Sequence, residues 1–96
     1  MGQSILTYYK ENKTPTYEEV LDFYKYADSI SPYMQLQTGE LTDAGLPLQV
    51  LVIDGDQEFT AEAARSRQKM ILLINNGIHP GEPDGVDACL QLIHRL

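Results

Sequence analysis

Met70-Ile71-Leu72-Leu73-Ile74-Asn75-Asn76-Gly77-Ile78-His79-Pro80-Gly81-Glu82-Pro83 is the stretch on which the fold turns. Residues 70–74 form an uninterrupted apolar run, which predicts a strand buried on both faces, and such strands belong to α/β layer structures. Asn75, Asn76 and Gly77 end the strand with residues that tolerate sharp turns. Pro83 then opens an amphipathic helix whose apolar positions are Val86, Cys89, Leu90, Ile93 and Leu96. His79 and Glu82 therefore fall on a short loop between strand and helix. That loop lies outside the carboxyl end of the strand, the usual ligand position in open α/β sheets.

His and Glu are both zinc ligands, and here they stand three residues apart. The Pro80-Gly81 pair between them turns the backbone back on itself, so an imidazole nitrogen and a carboxylate can converge on one cation. Two common residues at a fixed gap also recur by chance as solvated loop side chains. The spacing permits chelation without demanding it.

Upstream, residues 2–13 are weakly patterned and predict at most a helical turn; residues 1–15 read as a leader. Thr16-Tyr17-Glu18-Glu19 has the form of a capping box, and Tyr17, Val20, Leu21, Tyr24 and Ala27 recur at helical spacing after it. A helix over residues 17–28 follows, ended by Ser31-Pro32, with its tyrosines packing along the apolar stripe. Residues 33–38 alternate, with Met34 and Leu36 opposite Gln35 and Gln37, as a half-exposed strand does. Residues 48–53 make a second, more apolar strand. The connection between them contains Gly39, Gly45 and Pro47 and reads as a hairpin. Residues 54–58 are a carboxylate-rich turn that lacks the further ligands of a calcium loop. Residues 60–67 read as a short surface helix.

Ninety-six residues allow one domain at most, and seven basic against fourteen acidic residues leave a net charge of −7 with no basic cluster. Nucleic acid is not an expected partner. No apolar run approaches the roughly 18 residues of a membrane span, and no signal-peptide pattern opens the chain. The single cysteine excludes an internal disulfide, and its helical position makes Cys89 a core residue.

Taken together, Gly39-x-x-Thr42-x-x-Gly45-x-Pro47-Leu48 before a strand, and a buried strand running into Asn76-Gly77-Ile78-His79-Pro80-Gly81-Glu82 and a helix, resemble the start of the catalytic domain in the zinc metallocarboxypeptidase family. The Thr-x-Thr-Tyr-Glu-Glu helix is similar to the one that opens that domain in bacterial members. These motifs cover most of the chain. The resemblance implies an α/β fold: the N-terminal part of a mixed-sheet, three-layer carboxypeptidase-like domain, with about three strands and flanking helices present here.

It also implies a hydrolase, a metallopeptidase that removes the C-terminal residue of a peptide or protein, with Zn2+ as cofactor and His79 and Glu82 matching the first two zinc ligands. In the family the third ligand, the general base and the substrate-binding arginines lie further downstream, so no catalytic residue is expected within these 96 residues, which alone would be inactive. His94 does not replace the third ligand, because twelve residues of helix put it roughly 18 Å from Glu82. Leu46 stands where members often carry Arg, and Gly81 where many animal members do; the latter removes a substrate contact but no zinc ligand.

The last helical pattern carries no stop signal, which predicts that the domain continues beyond residue 96 and that apolar surface left uncovered promotes self-association. Bacterial relatives are commonly exported, which suggests a secreted or periplasmic parent. Two other functions stay open: a deacylase of the same fold acting on acyl-amino acids, and a catalytically silent α/β binding module. The Thr-x-x-Gly-x-Pro-Leu hairpin favours the peptidase.

Overall fold

The computed structural model describes residues 4–78 and 81–96. The protein is mixed α/β: a 3₁₀ helix, Ser4–Glu11, precedes helix α1, Tyr17–Ile30; strands β1, Met34–Leu41, and β2, Pro47–Ile53, follow; and helices α2, Ala61–Ser66, and α3, Asp84–Arg95, complete the order. The chain divides into two compact units, residues Met1–Ala27 with Leu73–Leu96, and Asp28–Leu72.

In the first unit, α1 starts where the capping box predicts. The Thr16 N–H donates to Glu19 Oε1 at 2.9 Å, and the Glu19 N–H donates to Thr16 Oγ1 at 3.2 Å, so two otherwise orphaned donors are satisfied reciprocally. The buried positions of α1 are Phe23 and Ala27. Phe23 lies outside the predicted stripe of Tyr17, Val20, Leu21, Tyr24 and Ala27 yet is buried, whereas Tyr17, at the start of that stripe, is exposed. In α3, Leu90 and Ile93 are buried.

The N-terminal segment departs from the expected single turn. Ile5 and Leu6 are buried, the Leu6 carbonyl accepts from Gln91 Nε2 at 2.6 Å, and the Tyr8 hydroxyl donates to Glu19. Long 3₁₀ runs are rare because their hydrogen bonds are poorly aligned. Here side-chain anchors to α1 and α3 hold eight residues in that form, and Asn12, with φ of 58°, ends it.

In the second unit, β1 and β2 pair antiparallel, with Met34 opposite Ile53, Leu36 opposite Leu51 and Val50 opposite Gln37. The alternation read from the sequence thus sets Met34, Leu36, Leu51 and Ile53 on one face. The hairpin turn is tighter than predicted, since β1 extends to Leu41; it closes through Thr42 N–H to the Leu46 carbonyl at 2.7 Å, with Gly45 at φ of 79°. Thr60 caps α2 by accepting from the Ala63 N–H at 3.1 Å.

The third strand is a correction. Residues 70–74 have no regular secondary structure, and Met70 is 95% exposed, Leu72 and Leu73 80% each. A run buried on both faces needs a hydrogen-bonded neighbour and two covering layers. Among the described residues the sheet has two strands, and neither pairs with this run. Among the described residues, no helix is long and apolar enough to cross a membrane.

Candidate metal-binding loop

The loop ahead of α3 is held against the first turns of that helix. Asn76 Nδ2 donates to Cys89 Sγ at 2.8 Å, which makes the half-buried Cys89 an acceptor for the loop rather than a plain core residue. Gly77 adopts φ of 65°, and a Cβ there would stand 3.1 Å from Val86 Cγ2. A Cβ on Gly85 would stand 3.0 Å from Asn76 Cβ. Both glycines sit where Asn76 and Gly77 approach α3 closely, and Gly77 also has a left-handed backbone that favours glycine.

Gly81, again left-handed at φ of 81°, turns the chain into Glu82 and Pro83. Glu82 is exposed and stands with Thr14, Pro15, Gly81, Pro83 and Val86 around an open recess of about 420 Å³. No local sequence pattern marks Thr14 and Pro15, which arrive from the segment between the 3₁₀ helix and α1. His79 and Pro80, the other half of the ligand reading, lie outside the described residues.

Asp84 and Asp87 occupy the first turn of α3, where carboxylates favour the helix dipole. Burial, and next the charge of Asp84, nonetheless push the Asp87 carboxyl above its ordinary range. His94 is exposed in the last turn of α3. The carboxylates of residues 54–58 are engaged elsewhere: Lys69 Nζ lies 2.6 Å from Asp54 Oδ1 and 2.7 Å from Asp56 Oδ2, and Arg67 Nη1 lies 2.9 Å from Glu58 Oε1. Among the described residues, no group of three His, Cys, Asp or Glu side chains could together hold a metal ion.

No family model, curated protein or solved structure matches the chain. Among the described residues of the loop, Glu82 is an exposed carboxylate at an open recess beside a helix start. Carboxylate oxygens are among the ligand types that zinc takes.

Proposed function

We propose that the chain carries the first zinc-ligating segment of a zinc metallocarboxypeptidase, which hydrolyses the C-terminal peptide bond of a peptide or protein. His79 and Glu82 are the two ligands assigned here. What supports the reading is the exposed Glu82 carboxylate beside the recess directly ahead of α3, preceded in the chain by the Thr42-to-Pro47 hairpin turn that the same reading requires. Bound with an open position, Zn2+ would lower the pKa of its water to about 7 and polarise the scissile carbonyl. Glu82 contributes a charged oxygen ligand, and the Asn76–Cys89 hydrogen bond ties the start of the segment ahead of it to α3.

The test is calorimetric titration of the chain with Zn2+. His79→Ala and Glu82→Ala should each weaken binding by about tenfold or more, while Asp84→Ala leaves it unchanged. Zinc binding indifferent to both ligand substitutions defeats the assignment. For the reaction, peptides with free C-termini and acyl-amino acids are offered to the natural gene product; chelator-sensitive release of the C-terminal residue, without deacylation, is the expected result.

A further inference from the structure

The irregular segments of the chain are not equally tied down. The Lys13 N–H donates to the Tyr8 carbonyl at 2.9 Å, the turn 42–46 is closed by its own hydrogen bonds, and in 54–58 the Glu58 N–H donates to Asp54 Oδ2 at 2.7 Å. Residues 70–74 differ. They have no regular secondary structure, and among the described residues no backbone hydrogen bond reaches them. Met70, Leu72 and Leu73 are also the most exposed large apolar side chains among the described residues. The chain on either side is held. Before the run, the Lys69 N–H donates to the Ala64 carbonyl at 2.9 Å and the Lys69 ammonium pairs with Asp54 and Asp56; after it, Asn76 is bonded to Cys89. The border between the two compact units falls between Leu72 and Leu73.

We propose that the run 70–74 is a proteolytic processing site, cut at or beside the Leu72–Leu73 bond by an endopeptidase that selects large apolar side chains. A peptide bound as an added strand gives its main chain to hydrogen bonds and its alternate side chains to pockets, so a segment already bonded into a helix or sheet has to open first. Residues 70–74 have no such bonds to give up. The neighbouring cations decide between apolar and basic specificity. A trypsin-like pocket must take Arg or Lys, but Arg67 is paired with Glu58, and Lys69 with Asp54 and Asp56. Met70, Leu72 and Leu73 offer their side chains to a hydrophobic slot instead.

The cut consumes one water. The Leu72 carbonyl carbon takes its oxygen and becomes a carboxylate, the C–N bond breaks, and the Leu73 nitrogen takes both protons and leaves as an ammonium. Both new charges arise where Leu72 and Leu73 are exposed, so neither is buried. The pieces, 1–72 and 73–96, stay together, because the contact of α3 with the 3₁₀ helix lies within one unit and does not run through the cut. Ile5, Leu6, Leu90 and Ile93 are buried there, and the Leu6 carbonyl accepts from Gln91 Nε2 across the two pieces. The product is a nicked chain.

Brief digestion of the chain with chymotrypsin, read by intact mass, should place the first cut within 70–74. Chymotrypsin's pocket also takes aromatic side chains, and Tyr9, Tyr17 and Tyr33 are exposed. They should be spared at first, because Tyr9 lies in the 3₁₀ helix, Tyr17 in α1, and the Tyr33 carbonyl accepts from the Asp54 N–H at 2.9 Å. The rate should not change in low urea, since cutting at an open segment does not wait for unfolding. Trypsin at the same concentration should cut after Lys69 more slowly than chymotrypsin cuts the run. Leu72→Asp combined with Leu73→Asp should slow cutting of the run at least about tenfold and leave the Tm unchanged. On gel filtration the nicked chain should elute with both pieces together. A first cut outside 70–74, a rate that climbs with urea as unfolding does, faster trypsin cleavage after Lys69, undiminished cutting of the double variant, or release of 73–96 overturns the proposal.

Discussion

Thr16 and Glu19 show how much a few residues settle by themselves. Their reciprocal bonds form within one turn, so the capping box is legible without any tertiary information. Thr16→Ala should lower stability by about 0.5–2 kcal/mol in urea unfolding. Lys69 is the opposite case, because its partners Asp54 and Asp56 lie across α2 and no local pattern announces them. Lys69 holds both carboxyls below their ordinary range, and for Asp54 the Glu58 N–H adds to it. The same contacts hold the Lys69 ammonium above its own. A lowered carboxyl stabilises the fold above the unfolded value near about 3.9 and loses that as pH falls through its folded value. A raised ammonium stabilises below about 10.4 and loses that as pH rises through its folded value. Unfolding midpoints measured against pH should therefore fall at both extremes, and Asp54→Asn should flatten the acid limb. An acid limb unchanged by Asp54→Asn would show that the ion pairs contribute nothing.

α3 was legible as a helix because its apolar residues recur at helical spacing, and its buried residues, Leu90 and Ile93, are two of the predicted five. Leu96 lies on the same stripe yet is 69% exposed, since burial depends on what faces a position and not on its spacing. Leu90 is 1% exposed, and Leu90→Ala should cost about 2–5 kcal/mol by leaving a cavity. The loop ahead of α3 offers a sharper comparison. Gly77→Ala and Gly81→Ala both force a side chain into left-handed backbone, about 1–2 kcal/mol each, but only at Gly77 does the new methyl also meet a neighbour, Val86. Thermal melts should rank Gly77→Ala as the more damaging.

For the whole molecule, the apolar run 70–74 is the place where composition and structure part. Its five residues have the hydrophobicity of a central strand, but a strand is defined by its neighbours' hydrogen bonds, and the described sheet ends at two strands. Amide exchange over residues 70–74 should be nearly unprotected, while the amides of α3 around Leu90 exchange slowly. Leu72→Ser should change stability by less than about 0.5 kcal/mol, the scale of surface substitutions. A loss of 2 kcal/mol or more would place Leu72 in a core.

The sequence by itself determined what depends on a few neighbouring residues: the Thr16–Glu19 start of α1, the alternation and turn glycine of the β1–β2 hairpin, and the stripe of α3. It also brought His79 and Glu82 onto one loop as ligand candidates, of which the described residues include Glu82. Only the tertiary structure decided that residues 4–11 form a 3₁₀ helix, that Thr14 and Pro15 join Glu82 around the recess, that Lys69 closes on Asp54, and that residues 70–74 stay outside the sheet. The physical reason is common to all four: each depends on groups far apart in the chain coming together or failing to, and sequence periodicity shows which face of an element is apolar but not what will cover it.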